Sequence, residues 1–428
     1  MLLENFKRSK LITFFGLSSF QILAMFRRGL FYTYLSIYLR DFLFLSVTET
    51  TLYATLPMIM SVLFQNFVWG PISDKLQRRR TLIILGEILA GGGTLLVWLI
   101  HNSFSDFYIA GYIIIIGLSC IELFWSMSNI GWSALISDIY PSVERSKVMG
   151  RLTSVGGFGR IIGITIGGVL YNNGFGFRDG PLFFVASFIM FISTFPMLFA
   201  PEGGIEYSKN IEKDESLEIN EKAQFRYKNI FIIFIISLIF INFGRNSISI
   251  PYSQYLSLES GFGVDSVLLS LIVNTRSVAV ILVGLGTGIL SNKIGHSKSL
   301  IFGVILALFA LLINTITNFL WMIFLGSFLF GASEVIIYSA SYAIASDLIP
   351  ENYRGKLFGL YNTTFFLSWG LACTLISGPL IDFLININIS EIIAYQSSFL
   401  VGAILTFVGL IIYIISKLKL AIKKRKNK

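Results

Sequence analysis

The sequence predicts an all-α membrane protein of twelve transmembrane helices in two pseudo-symmetric six-helix bundles. Three observations predict it. First, the chain is 54% hydrophobic and 13% charged, with a mean hydropathy of +0.75, whereas a soluble domain carries about 25% charge. Second, runs of about 20 apolar residues, enough to cross about 30 Å of hydrocarbon as helices, recur along the whole chain. Third, one basic turn occurs twice, half a chain apart, each time between apolar runs. The first copy is Gly70-Pro71-Ile72-Ser73-Asp74-Lys75-Leu76-Gln77-Arg78-Arg79-Arg80, the second Gly288-Ile289-Leu290-Ser291-Asn292-Lys293-Ile294-Gly295-His296-Ser297-Lys298. A repeated turn between membrane helices means two copies of one bundle, and two such bundles suit a machine that rocks one half against the other.

The runs, numbered as helices 1 to 12, fall at 11–39, 48–71, 80–101, 105–137, 147–171, 180–200, 228–257, 264–290, 297–317, 319–346, 355–385 and 391–417. Those longer than the bilayer is thick must tilt or protrude. Lys7, Arg8 and Lys10 ahead of helix 1 resemble a signal peptide. The run continues through Arg27 and Arg28 to Tyr38 without a convincing cleavage site, so it reads as a retained helix. Glu202 to Lys228 is too charged for lipid. It divides the chain into a bundle at 1–200, a cytoplasmic linker at 201–227, a second bundle at 228–417 and a basic tail at 418–428.

The net charge of +9 invites a nucleic-acid reading, which the positions oppose. Outside the apolar runs, every Lys and Arg except Arg40 and Arg178 lies at a terminus or in the loops on one side. That is the positive-inside bias, with both termini cytoplasmic and the basic tail against anionic headgroups. Cys120 and Cys373 fall in helices 4 and 11 as buried thiols, and His101 and His296 in loops. No metal cluster, cofactor motif, nucleophile with a base, or nucleotide-binding loop is visible, which argues against an intramembrane enzyme and an ATP-driven pump.

The halves align at three sites in the same order. Arg28…Ser36-Ile37-Tyr38-Leu39 matches Arg245…Ser253-Gln254-Tyr255-Leu256, and the basic turns match next. After helix 4, Asp138-Ile139-Tyr140-Pro141-Ser142-Val143-Glu144-Arg145 matches Asp347-Leu348-Ile349-Pro350-Glu351-Asn352-Tyr353-Arg354 after helix 10. Twelve helices, a central loop, G-x-x-S-D-K-x-x-R-R-R after helix 2 and D-x-x-P-x-x-x-R after helices 4 and 10 resemble the major facilitator superfamily along the whole chain. The first turn departs from the family pattern at Gln77, where Gly is usual. In the second turn, Asn292 replaces the Asp and His296 an Arg.

The resemblance implies an alternating-access secondary transporter with a cavity lined by helices 1, 4, 7 and 10. It implies that Gly70, Asp74, Lys75, Arg78, Asp138, Arg145, Asn292, Asp347 and Arg354 belong to the gating turns. Asp74 would contact the N-terminus of helix 11 and neighbouring basic groups, with Arg145 as a partner. An anion at a helix N-terminus is worth roughly 0.3–1 kcal/mol. Loop anchoring is the alternative role for these residues, and Asn292 makes the latch asymmetric. Helix 5 carries Gly159-x-x-x-Gly163-x-x-x-Gly167-Gly168, a small-residue stripe. Its spacing resembles the helix-5 motif of the family's proton-coupled antiporters, with Ile164 where that motif has Pro. Packing alone also explains the stripe.

Charges at membrane depth are costly and face a cavity or a partner. Arg28, Glu122, Arg160, Arg245, Arg276 and Glu334 lie mid-helix. Helical spacing places Gln21, Arg28, Tyr32 and Ser36 on one face of helix 1, and Ser119, Glu122, Ser126, Asn129 and Ser133 on one face of helix 4. It aligns Asn242, Arg245, Ser249 and Ser253 on helix 7, and Ser327, Glu334, Tyr338 and Ser341 on helix 10. The candidate solute-binding residues are Arg28, Tyr32, Asn129, Arg245, Tyr338 and Trp369; Gln65, Asn66 and Asn362 are weaker candidates. Arg28 and Arg245, equivalent in the two halves, suit a two-sided clamp on a carboxylate or phosphate. Alternatively each is neutralised by Glu122, Glu334 or a carbonyl. Glu122 and Glu334 are the proton-coupling candidates. Arg27, on another face, suits an interhelical or cytoplasmic role.

The function expected is proton-coupled transport of a small organic solute by a monomer in the bilayer, with export favoured and no nucleic-acid partner. Import or exchange of organic anions is the alternative. A sensor that keeps the fold without transporting is a different class, and its usual extended soluble tail is lacking in this sequence.

Overall fold

The structure, a computed structural model, describes residues 2–140, 142–204, 228–349 and 354–426. The linker 205–227 lies outside the described residues, and so do the side chains of Arg145, Arg354 and the tail 418–428.

Twelve helical segments appear where the apolar runs predict them: α1 Leu2–Ile37, α2 Val47–Leu76, α3 Arg79–Ser103, α4 Phe107–Ile139, α5 Ser142–Tyr171 and α6 Pro181–Met197. The second half comprises α7 Asn229–Ser257, α8 Ser266–Ile294, α9 His296–Ile316, α10 Leu320–Leu348, α11 Leu357–Asn386 and α12 Glu391–Lys426. Among the described residues, ten helices are long and apolar enough to cross a membrane, and Pro181–Met197 is a shorter apolar helix.

Contacts group the chain into two compact units, Met1–Leu45 with Leu56–Glu218, and Ser46–Thr55 with Ile219–Lys428. The first turns of α2 therefore belong with the second unit. There the Asp382 carboxylate of α11 accepts the backbone N–H groups of Val47 and Thr48 at 2.9 and 2.8 Å. It satisfies two of the donors that a helix start leaves open. Thr51 and Thr55 both lie 2.7 Å from Thr374, and Gln254 donates to Thr50 at 2.9 Å.

In the first unit, α5 packs backbone-to-backbone on α1. A Cβ on Gly159 or Gly163 would overlap the carbonyl oxygens of Ile22 or Phe26, and Tyr34 donates to the Ile164 carbonyl at 2.7 Å. The glycine stripe is thus the seam between these helices, the close approach that small residues allow in lipid.

Proline shapes three helices. In α2, Gly70 N–H reaches back five residues to the Gln65 carbonyl ahead of Pro71; in α11, Gly378 N–H reaches Cys373 ahead of Pro379. These single π-turns accommodate a ring that cannot donate. α7 departs from the continuous helix expected at 228–257. It breaks at Ser247–Ile250 and restarts at Pro251, because Pro251 has no N–H to donate to the Ser247 carbonyl and its ring crowds that carbonyl out of the helix. Irregular backbone at this depth needs partners, and α11 supplies them. Ser377 Oγ donates to the Ser247 carbonyl, Cys373 Sγ to the Asn246 carbonyl at 3.3 Å, and Asn246 Nδ2 to Ser368 at 2.7 Å.

Two sequence expectations are corrected. Cys120 is exposed, and only Cys373 is buried, because position 120 falls on the outward face of α4. His101 and His296 are not in loops. His101 is fully buried inside α3, 3.2 Å from the Tyr38 hydroxyl, and His296 opens α9. The helices simply run past the last strongly apolar residues.

Candidate functional site

The first unit builds two polar layers from α1, α3 and α4. The inner one is an ion pair that the sequence reading missed. Arg27 Nη1 lies 2.5 Å from Glu87 Oε2, with both side chains 5% exposed or less. Ser128 donates to Glu87 Oε1 at 3.0 Å, and the Arg27 guanidinium lies 4.2 Å from the Trp125 ring centroid. The signal was a lone Glu in an apolar helix beside an arginine already known to face away from Arg28. The pair bears out the interhelical role for Arg27.

The outer layer is Arg28, Tyr32, Glu122 and Asn129. Arg28 is exposed; Tyr32, Glu122 and Asn129 are half-buried. Arg28, Tyr32 and Glu122 lie close enough to interact electrostatically, and Tyr32 stands 6.2 Å from Trp125 between ring centroids. Glu122 has no ion-pair partner among the described residues; Ser61 of α2 stands within hydrogen-bonding reach of it. Gln65 donates to that same Ser61 at 2.7 Å, whereas Asn66 turns back to the Val62 carbonyl.

The second unit pairs its charges differently. Glu334 Oε2 of α10 accepts from Arg276 Nη2 and Nε of α8, at 2.7 and 3.0 Å. Arg245, the positional equivalent of Arg28, is 2% exposed instead of open, and its buried Nε and Nη1 have no hydrogen-bond partner among the described residues. The Arg245 and Arg276 guanidinium groups lie 5.8 and 4.6 Å from the Phe330 ring centroid. Tyr338 is half-exposed with its ring 5.4 Å from Phe365. The Trp369 carbonyl accepts from Ser249 across the break in α7, and Asn362 is exposed. Arg160 is half-buried. Two of the six mid-helix charges thus meet as a direct ion pair, and Arg276 rather than Arg245 holds Glu334.

Arg79 organises the basic turn of the first unit; the expected Asp74–Arg145 contact involves a side chain outside the described residues. Arg79 is 5% exposed. It donates to Asp138 Oδ2 at 3.1 Å, to Ser73 Oγ at 2.5 Å and to Asp74 Oδ1 at 3.4 Å. Asp138 also accepts from Gly204 N–H at 2.9 Å. Glu202 caps the start of α3 through Thr81 N–H and pairs with Arg80. Asp74 itself is 80% exposed on its side chain, and Lys75 and Arg78 are exposed. Gln77 takes a left-handed φ of 55°, which explains the usual glycine there, and its amide braces the Asp74 carbonyl at 2.6 Å. In the second unit Ser291 meets His296 at 2.6 Å. Asn292 and Asp347 are exposed, so a serine–histidine hydrogen bond stands where the first turn has ion pairs.

Among the described residues, no group of His, Cys, Asp and Glu is suited to hold a metal. The sequence profile described as Major Facilitator Superfamily matches residues 17–372 and 235–428. The multidrug resistance protein MdtG of Salmonella schwarzengrund is 26% identical over 238 residues, covering 54% of this chain and 56% of that protein. The match thus spans little more than half of that relative. MdtG of Salmonella typhi is 24% identical over 302 residues, covering 69% of this chain and 70% of its own. Among solved structures, the nucleoside transporter NupG superposes with a TM-score of 0.71 at 13% identity, covering 94% of this chain and 98% of that one. A bacterial homologue of the human lysosomal transporter Spinster superposes at 0.69 and 14%, covering 95% and 96%. At such identities the structural likeness speaks for the fold alone. The chain belongs to the major facilitator superfamily and is a multi-pass membrane protein.

Proposed function

We propose that the protein is a proton-coupled secondary transporter that exports a small organic solute, with Glu122 as its first proton carrier and Glu334 as its second. The observation that carries this reading is the contrast among three carboxylates at membrane depth. Glu87 and Glu334 are held in ion pairs, whereas Glu122 has no such partner among the described residues and stands beside Arg28 and Tyr32. A carboxylate in a half-dry site changes protonation when its surroundings change, which is the property coupling requires. The multidrug resistance proteins among its relatives support the export direction. The positive-inside bias supports cytoplasmic termini, and we take the transporting unit to be a monomer.

A second reading, transport of a carboxylate-bearing solute, rests on the charge count. Arg27, Arg28, Arg160, Arg245 and Arg276 stand against Glu87, Glu122 and Glu334. Beyond the two ion pairs, Arg28 and Arg245 stand against Glu122, a net positive balance where every charge is costly. Arg28 is the exposed member and the natural first contact for an anion.

The test is flux in liposomes under an imposed pH gradient, with lipophilic cations and organic anions as trial solutes. Glu122→Gln is expected to abolish proton-driven flux while leaving solute binding. Full proton-driven flux by Glu122→Gln and Glu334→Gln alike would refute the coupling assignment. Arg28→Lys keeps the charge but loses the planar fork. It is expected to weaken anion binding, and unaltered binding of cations alone would favour the drug-export reading.

A further inference from the structure

α2 and α11 end on the same local architecture, although they are not equivalent in the half-chain repeat. In α2 a π-turn at Gln65–Trp69 runs into Gly70-Pro71-Ile72-Ser73-Asp74, and in α11 a π-turn at Cys373–Ser377 runs into Gly378-Pro379-Leu380-Ile381-Asp382. Gly70 and Gly378 share the backbone angles φ −57° and ψ −59°. Each motif therefore carries an aspartate about one turn beyond its glycine. The two carboxylates are engaged differently. That of Asp74 is 80% exposed and, among the described residues, meets only Arg79, at 3.4 Å. Asp382 is half-buried and accepts the Val47 and Thr48 N–H groups at the start of α2.

The start of α2 does not need Asp382 in order to be a helix. Ser46 and Glu49 form a capping box: Glu49 Oε2 accepts from Ser46 N–H at 2.9 Å, and Ser46 Oγ accepts from Glu49 N–H at 3.2 Å. Asp382 takes the two first-turn donors between them, so it docks a helix start that is already closed. A Cβ on Gly378 would lie 2.9 Å from Thr48 Cα, so α2 sits directly on the motif. Asp382 has no ion-pair partner among the described residues, and the Thr51, Thr55 and Thr50 contacts beside it are neutral. Water can replace each of these bonds at modest cost. The docked turns, Ser46–Thr55, group with the second unit, whereas α2 from Leu56 onward groups with the first. Pro57 follows that boundary inside the helix. It has no N–H for the Tyr53 carbonyl, so α2 is weakened where its grouping changes. We propose that Asp382 is a latch holding the start of α2 on α11, that it alternates with Asp74 during transport, and that Pro57 is the hinge on which the start of α2 comes away. The placement of Asp382 outside and Asp74 inside rests on the reading that both termini are cytoplasmic.

The test is the rate at which a membrane-impermeant maleimide, added outside right-side-out vesicles, labels Thr55→Cys in the full chain with Cys120→Ser. Thr55 is 3% exposed and 2.7 Å from Thr374, so a cysteine there reports release. The same chain without Thr55→Cys gives the background from Cys373. Asp382→Ala removes both acceptor oxygens, and Asp382→Asn removes the charge and one of them. Labelling is expected to quicken about two- to thirty-fold in Asp382→Ala, the population change that loss of a helix cap produces, and by less in Asp382→Asn. Asp74→Asn, which loosens the opposite latch, is expected to label no faster than the parent. A rate unchanged in both Asp382 variants, or raised equally by Asp74→Asn, overturns the proposal. Ser398→Cys, fully buried in α12, reports general loosening, and an equal rise there overturns it too. Failure of the topology reading is separate. If labelling quickens only from the face that labels a cysteine at Lys213, the latch stands and the orientation is inverted.

Discussion

Replacing Glu87 by Leu tests whether the buried pair with Arg27 holds the first unit together. The substitution removes the carboxylate that accepts from Arg27 at 2.5 Å and from Ser128 at 3.0 Å. What remains is a guanidinium 4% exposed, with the Trp125 ring as its remaining favourable contact. Breaking a buried pair by removing one partner costs about 3–5 kcal/mol, because the surviving charge is uncompensated. The cation–π contact offsets about 1–2 kcal/mol of this at most, so a net loss of roughly 1–4 kcal/mol is expected. For a cooperative block of about 200 residues this lowers the melting temperature by roughly 2–16 °C. The assay is the apparent Tm in detergent by intrinsic tryptophan fluorescence at a fixed scan rate, since membrane proteins seldom refold after melting. Adding Arg27→Met should restore most of the loss, because an apolar pair of similar volume replaces a buried ion pair at little cost. An unchanged melt for Glu87→Leu, or a double variant no better than the single, would refute the reasoning.

Three further outcomes are expected. Gly163→Ala drives a methyl into the Phe26 carbonyl on α1, and should abolish the folded peak in size-exclusion chromatography, whereas Gly150→Ala, with open space at its Cβ, should not. Asp74→Asn should lower transport while leaving expression and melting nearly unchanged, since the side chain is 80% exposed and its contact with Arg79 is long at 3.4 Å; Asn292→Asp should do little or partly compensate. Single cysteines at Asp106 and Asp179, introduced with Cys120 removed because it is exposed, should label from the face opposite a cysteine at Lys213, and labelling of Lys213 and Asp179 from one side would invert the topology.

The helices are legible in the apolar runs, because the cost of placing backbone and charge in hydrocarbon leaves a long apolar run few alternatives. The starts of α3, α8 and α10 fall within two residues of the apolar runs at 80, 264 and 319. The duplicated basic turn marks the family, and Gln77 marks a strained position because glycine is usual there. Pro251 was also legible as a break in α7, but the long apolar run masked it. Tertiary structure alone decided which charges meet. Helical periodicity places a residue on a face without saying which neighbour that face meets or how deep it lies. Thus Arg28 and Arg245, equivalent in sequence, differ in exposure, and Glu334 turns to Arg276 because α8 and α10 are neighbours. The same holds for Arg27 with Glu87, for Arg79 with Asp138, and for Asp382 at the start of α2. Each joins residues tens to hundreds of positions apart. Coulomb attraction at membrane depth requires that a charge find a partner, but only the packing of the helices selects which one.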